Sequence, residues 1–165
     1  ALSVADNVTI GLHLRGTAGF LDVLLGRRRI RDEEQRLATD AEAIIAFVGL
    51  AHRRREIASA LPYGEQRLVE LAVALAAQPR LLLLDEPGAG MASGEKDVVS
   101  ELIRNIRGRG ITVLLVEHDM RMVMGISDTV IVLNHGRVIA EGAPAAIQAH
   151  PDVIRAYLGT TGDRA

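Results

Sequence analysis

Two carboxylates, Asp85 and Glu86, stand side by side at the end of the apolar run "RLLLLD" and lead into Pro87 and "GAGM". An Asp at the end of a buried strand can hold Mg²⁺, directly or through water, with nucleotide phosphates completing the shell. A Glu one residue further out can orient or deprotonate an attacking water, a role that typically contributes ~10²–10⁴ in rate. Alone, the pair would serve equally well to cap a strand end. Two other stretches shift that balance. Upstream, "LPYGEQR" (residues 61–67) places Gly64 at a helix start, where unpaired N–H groups and the positive end of the helix dipole attract an anion. Downstream, "VEHDM" (residues 116–120) puts His118 just past a second apolar run. A lone His is ordinarily a surface or core residue. At the carboxyl end of a strand beside an acid pair, it becomes a candidate for the same ligand.

The glycines after the acids admit another reading. "GAGMASG" contains Gly88, Gly90 and Gly94, a helix follows, and a strand then ends in Glu117. That is the outline of a dinucleotide site, whose acid lies about 20 residues beyond the turn and holds a ribose. The fit is imperfect. The third glycine is wanted where Ser93 stands, and Asp85, Glu86 and Pro87 interrupt the passage from strand to turn. Two carboxylates there would repel a pyrophosphate, so the metal-and-water reading is preferred.

Elements of the right kind surround these residues. At 33–48, Leu37, Ala41, Ile44, Ile45 and Val48 share one helical face, and Gly49 is a plausible stop. Gly11, Gly16, Gly19 and Gly26 break up the preceding part. Residues 65–77 read as a helix with Leu68, Leu71, Ala72 and Leu75 inward, ended by Pro79. "RLLLLD" and "ITVLLVE" (residues 111–117) read as strands buried on both faces, joined by a helix over 94–107 through Val99, Leu102, Ile103 and Ile106. A short helix over 120–124 follows. "TVIVL", "NHG" and "RVIAEG" read as a hairpin, and "PAAIQAH" and "PDVIRAYL" as two closing helices with Pro near each start. Strand, helix, strand implies a parallel sheet with helical crossovers, an α/β fold. It would deliver Asp85, Glu86 and His118 to one sheet edge.

Composition removes several classes. With 165 residues, the chain can bury roughly 70% of its unfolded surface, enough for a core. A net charge of −2 gives no global field for nucleic acid, and Arg27–Arg31 and Arg53–Arg55 read as local, solvated clusters without interleaved aromatics. No cysteine is present, which excludes disulfides, thiolate metal sites and Cys nucleophiles. The longest apolar run, Leu71 to Ala77, is far short of the roughly 20 residues of a membrane span. The opening "ALSVADNV" has no methionine and reads as part of a helix, as expected of a fragment or processed product.

Taken in order and spacing, "LPYGEQR", "LLLLDEP", "GAGMA" and His118 resemble the signature motif, Walker B strand, D-loop and switch histidine of ABC transporter ATP-binding subunits. "YGEQR", "DEPGAGM", "VEHDMRMVMGISD" and "HPDVIRAYLG" are similar to the ATPase subunits of branched-chain amino acid importers. The resemblance implies the C-terminal part of a P-loop NTPase fold. Residues 1–60 would be the helical subdomain that docks on a permease, 61–142 the signature, Walker B, D-loop and switch-histidine part of the core, and 143–165 C-terminal helices and tail. It implies that Asp85 binds Mg²⁺ with ATP, Glu86 polarises the hydrolytic water and His118 contacts the γ-phosphate. Pro62, Tyr63, Gly64 and Glu65 would reach ATP held by a second ATPase subunit in a head-to-tail dimer, with Gly90, Met91 and Ala92 as the D-loop between them. Permease subunits, an extracytoplasmic solute-binding protein acting indirectly, no nucleic acid, and a peripheral place on the cytoplasmic membrane face are further implications. ABC-type ATPases of DNA repair or translation share these motifs but bring coiled-coil insertions or a second ATPase domain.

The sequence departs from that pattern in three places. Pro62 replaces the signature Ser, removing a hydroxyl and a backbone donor. Ala92 replaces the usual D-loop Asp or Asn. No G-x-x-x-x-G-K-[ST] occurs, and the only lysine, Lys96, follows Glu95. The chain resembles what begins just after the family's glutamine-bearing loop. It is therefore expected to hydrolyse little ATP alone. A truncated module that docks on a permease and hydrolyses nothing is the alternative.

Overall fold

The computed structural model describes residues 1–13 and 27–158. Helix α1 (Val4–His13) is followed by α2 (Arg27–Phe47), two short 3₁₀ turns at Ala51–Arg53 and Ala58–Ala60, and α3 (Tyr63–Ala76). Strand β1 (Leu81–Asp85), helix α4 (Ser93–Gly108) and strand β2 (Thr112–Val116) form a βαβ unit. Helix α5 (Met120–Ile126), the pair β3 (Val130–Asn134) and β4 (Arg137–Gly142), and helices α6 (Pro144–Gln148) and α7 (Pro151–Leu158) complete the order.

Local chemistry sets the boundaries. Ser3 and Asp6 exchange hydrogen bonds at the start of α1, satisfying two amides that the helix leaves open. The end of α2 is a Schellman turn: Gly49 has φ +83, its N–H donates to the Ala46 carbonyl, and the Leu50 N–H donates to that of Ile45. Gly16, Gly19 and Gly26 lie outside the described residues. Gly11 does not break α1. It is buried within the helix, where a Cβ would come 2.9 Å from both the Ala76 Cβ and the Val73 carbonyl oxygen of α3. The glycine marks a close helix crossing rather than a loop.

Val4, Val8 and Leu12 of α1, Ala41 and Ile45 of α2, and Leu71, Ala72 and Leu75 of α3 share one apolar cluster with Leu82, Val99, Leu102, Ile103 and Ile106. Leu68 sits at its half-buried margin. Each Val, Leu or Ile side chain among them, fully buried, contributes about 1.5–3 kcal/mol. A second cluster gathers Val130, Val132, Ala140, Ile147 and Val153 around the β3–β4 hairpin.

Strands β1 and β2 pair in parallel, Leu81 opposite Thr112 through Asp85 opposite Val116. The expectation that both are buried on two faces does not hold. Leu82 is buried, but Leu83 is 65% exposed and Leu114 55% exposed, with Leu81 and Val116 also open. Among the described residues, helices cover one face of the pair only. The hairpin is a separate antiparallel sheet with a two-residue turn, His135 and Gly136, both at positive φ as a type I′ turn requires.

Candidate functional site

The parallel register carries Asp85 and its successor to the same sheet end as His118. The ladder runs one residue past β1, where the Glu86 N–H donates to the Val116 carbonyl at 2.8 Å. Glu86 then takes φ +44, a left-handed conformation that an L-residue adopts at a cost of roughly 1–3 kcal/mol and that clusters at functional sites. The turn tightens as the Ala89 N–H donates back to the Glu86 carbonyl. His118 Nδ1 lies 3.2 Å from Glu86 Oε1. Both side chains are open to solvent, His118 at 68% and Glu86 at 51%. With Nδ1 turned to the carboxylate, Nε2 is left for a ligand.

Behind this pair, the Glu117 side chain is only 2% exposed. Its Oε1 accepts from the Gly88 N–H at 2.9 Å, and its Oε2 accepts from the N–H groups of His118 and Asp119 at 3.1 and 3.3 Å. Asp119 caps α5. One carboxylate oxygen accepts from the Arg121 and Met122 amides, and the other meets Lys96 Nζ at 2.8 Å. The Lys96 ammonium, followed by the Met122 amide, holds the Asp119 carboxyl below its ordinary value. Lys96 is therefore committed to joining α4 to α5.

The signature-like segment forms a second group. Pro62 precedes α3 with no side-chain cap, and the Gln66 side-chain amide instead donates to the Leu61 carbonyl at 2.7 Å. Tyr63 is half exposed, and its hydroxyl accepts from both Arg67 Nε and Nη2 at 3.1 and 2.7 Å. Its ring lies over Gly90, where a Cβ would come within 3.3 Å of Cε1 and where φ is +73, so both space and backbone favour glycine. Gly64 faces Glu95, whose Oε1 would clash with an added Cβ. Glu95 also accepts from the Ala92 N–H at 2.9 Å, while Ala92 has no side-chain oxygen to offer in return. Glu65 pairs with Arg53 at 3.1 Å, and Met91 is buried in the core.

Glu86, His118 and the end of β1 thus converge, and Tyr63, Gly64 and Gly90 converge separately. Among the described residues, no three His, Asp or Glu side chains gather as a metal cage. The exposed Asp85 carboxylate suits Mg²⁺, which takes one or two carboxylates together with nucleotide phosphates. It does not suit a dedicated zinc site. The dinucleotide alternative fails on geometry. Glu117, its ribose acid, is spent on three backbone amides, and the Gly88 N–H that would face a pyrophosphate is taken by that carboxylate. Sequence reading missed Glu117's place, although an acid closing an apolar strand was its signal. Arg53 and Arg54 are paired with Glu56, Glu65 and Glu42.

Comparison with known proteins places these features in a family context. Residues 2–89 match the ABC transporter family model, and residues 137–163 match that of the branched-chain amino acid ATP-binding cassette transporter. Over 159 residues, the chain is 39% identical to the high-affinity branched-chain amino acid transport ATP-binding protein LivG of Escherichia coli K12, covering 96% of this chain and 62% of the relative. The corresponding protein BraF of Pseudomonas aeruginosa is 38% identical over the same shares. The chain thus spans about three fifths of the length of these relatives. The crystal structure of MJ1267 in its ADP conformation, an ATP-binding cassette of an ABC transporter, superposes with a TM-score of 0.76 at 28% identity, covering 96% of this chain and 63% of that one.

Proposed function

The chain belongs to the ABC transporter ATP-binding family, and from that premise we propose that it serves as an ATP-binding and ATP-hydrolysing subunit of an importer for branched-chain amino acids. The observation that carries the reading is the Glu86–His118 pair, 3.2 Å apart at the carboxyl end of two parallel strands and next to Asp85. In this reading Asp85 would hold Mg²⁺ with the nucleotide, and the ion would supply neutralisation of phosphate charge. Glu86 orients or deprotonates the water. His118, held through Nδ1, presents Nε2 to the γ-phosphate.

The signature residues Pro62, Tyr63, Gly64 and Glu65 and the D-loop residues Gly90, Met91 and Ala92 serve ATP bound by a second ATPase subunit. Exposure of Tyr63 supports this; Glu65 acts through Arg53 and Met91 through the core. Permease subunits receive residues 1–60, and the assembly lies on the cytoplasmic membrane face. No helix among the described residues is long and apolar enough to cross a membrane, which fits a peripheral subunit. The sequence contains no phosphate loop, so the 165 residues alone turn over negligible ATP.

The test compares ATP binding and hydrolysis by this chain with those of a fusion that restores, from LivG, the part of the relative not covered here. Mg-dependent hydrolysis in the fusion, lost in Glu86→Gln, is the expected result. A fusion that binds ATP but never hydrolyses it, even with permease present, would favour a non-hydrolysing docking module. Saturating hydrolysis by the 165-residue chain itself would refute the division of labour.

A further inference from the structure

We propose that Glu117 is a positioning residue for hydrolysis: its buried carboxylate locks the turn that carries Glu86 to the loop that carries His118. The proposal rests on the ATPase reading for its catalytic consequence, and on this chain's geometry for the lock itself. Glu117 is the last residue before His118 and is nearly sealed from solvent, unlike the two groups it stands behind. One of its oxygens reaches across to the Gly88 N–H, two residues beyond Glu86, and the other gathers the N–H groups of His118 and Asp119. Among the described residues, none of those three amides donates to a backbone carbonyl. The ladder bond from Glu86 to Val116 fixes only the near end of the turn. Beyond it, the strained left-handed Glu86 leads into Pro87, which has no donor, so Gly88 is the first amide after Glu86 that can be tied.

The chemistry of the tie is selective. A carboxylate offers acceptors on both oxygens and no donor, so it can serve amides on two sides. An amide side chain offers one oxygen, and its NH₂ would face an N–H on the other side. Gln at 117 therefore releases either Gly88 or the His118–Asp119 pair. Asp falls a methylene short. Gly88 completes the fit, because a Cβ there would come 3.0 Å from Glu117 Oε1. Gly88→Ala thus presses on the same lock from the opposite side without altering the charge of Glu117.

Amide hydrogen exchange on the 165-residue chain tests the lock. In the wild type the Gly88, His118 and Asp119 amides should exchange well below free-peptide rates. In Glu117→Gln, and separately in Gly88→Ala, at least one side should lose that protection. The His118 imidazole ¹⁵N signal should also move away from its Glu86-bonded position. Free-peptide exchange at Gly88 in the wild type, or unchanged protection in both variants, overturns the lock. In the LivG-restored fusion, Glu117→Gln should lower kcat on the order of tenfold to a hundredfold, as misplacement of catalytic groups does. KM for ATP should stay within about twofold, and Glu117→Asp should not rescue kcat. Equal kcat in the wild type and Glu117→Gln, with protection lost, overturns the catalytic role. A wild-type fusion without any hydrolysis overturns that role together with the ATPase reading, while the exchange data still decide whether the lock exists.

Discussion

Glu86 unites two demands on one residue, a carboxylate at the sheet edge and a left-handed backbone that carries the chain into the next turn. They can be separated. Left-handed backbone costs an L-residue about 1–2 kcal/mol, whereas glycine's extra freedom in the unfolded chain costs about 0.5–1 kcal/mol. The first term is larger, so Glu86→Gly should be at least as stable as Glu86→Ala, by up to about 1.5 kcal/mol in urea denaturation. The reverse order would show that the turn is not strained at this residue. Function should not follow stability: both variants, like Glu86→Gln, should lower hydrolysis in the fusion by ~10²–10⁴ if the carboxylate is the base. Asp119 gives a second test at this scale. Lys96 and the α5 amides lower its folded-state pKa, so its stabilising contribution is full above the ordinary carboxylate value. That contribution fades as pH falls through the lowered one. Thermal scans should show the wild type losing more stability on acidification than Asp119→Asn, with the difference gone at the lowest pH.

At the scale of elements, the helices and the hairpin were legible because their signals are local. The face through Ala41, Ile45 and Val48, the Gly49 stop, and the "NHG" turn each depend on neighbours a few residues apart. The common edge of Asp85, Glu86 and His118 was also legible, since two apolar runs joined by one helix admit a parallel pairing and little else. Contacts between distant segments were not. Nothing local in "VEHDM" says that Glu117 turns inward to Gly88, and nothing in "TIGLH" says that Gly11 meets α3 rather than ending α1. That crossing opposes two known effects. Gly→Ala inside a helix normally gains about 0.8–1 kcal/mol. Here the new Cβ would come 2.9 Å from the Val73 carbonyl oxygen, which cannot rotate away, and overpacking costs typically about 1–3 kcal/mol. Gly11→Ala should therefore destabilise the chain in chemical denaturation. A stabilised variant would mean that α1 shifts freely along α3.

For the molecule as a whole, the bare face of the parallel pair is the informative defect. Parallel sheets are ordinarily covered on both faces, and the expectation of doubly buried strands came from that rule. Here Leu82 points into the core, while Leu81, Leu83, Leu114 and Val116 form an apolar patch open to solvent. The chain covers 62% of the length of LivG and of BraF, so both relatives are longer than it is. The same leucine should then behave differently in two settings. In the 165-residue chain, Leu82→Ala should cost about 2–5 kcal/mol as a core truncation, and Leu83→Ala no more than about 0.5 kcal/mol as a surface change. The patch should also make the chain self-associate with rising concentration in sedimentation, and Leu83→Lys combined with Leu114→Lys should suppress this without unfolding it. In the LivG-restored fusion the ranking should collapse, with Leu83→Ala costing nearly as much as Leu82→Ala and the double lysine variant failing to fold. If Leu83 stays insensitive in the fusion, the restored part does not cover this face of the sheet.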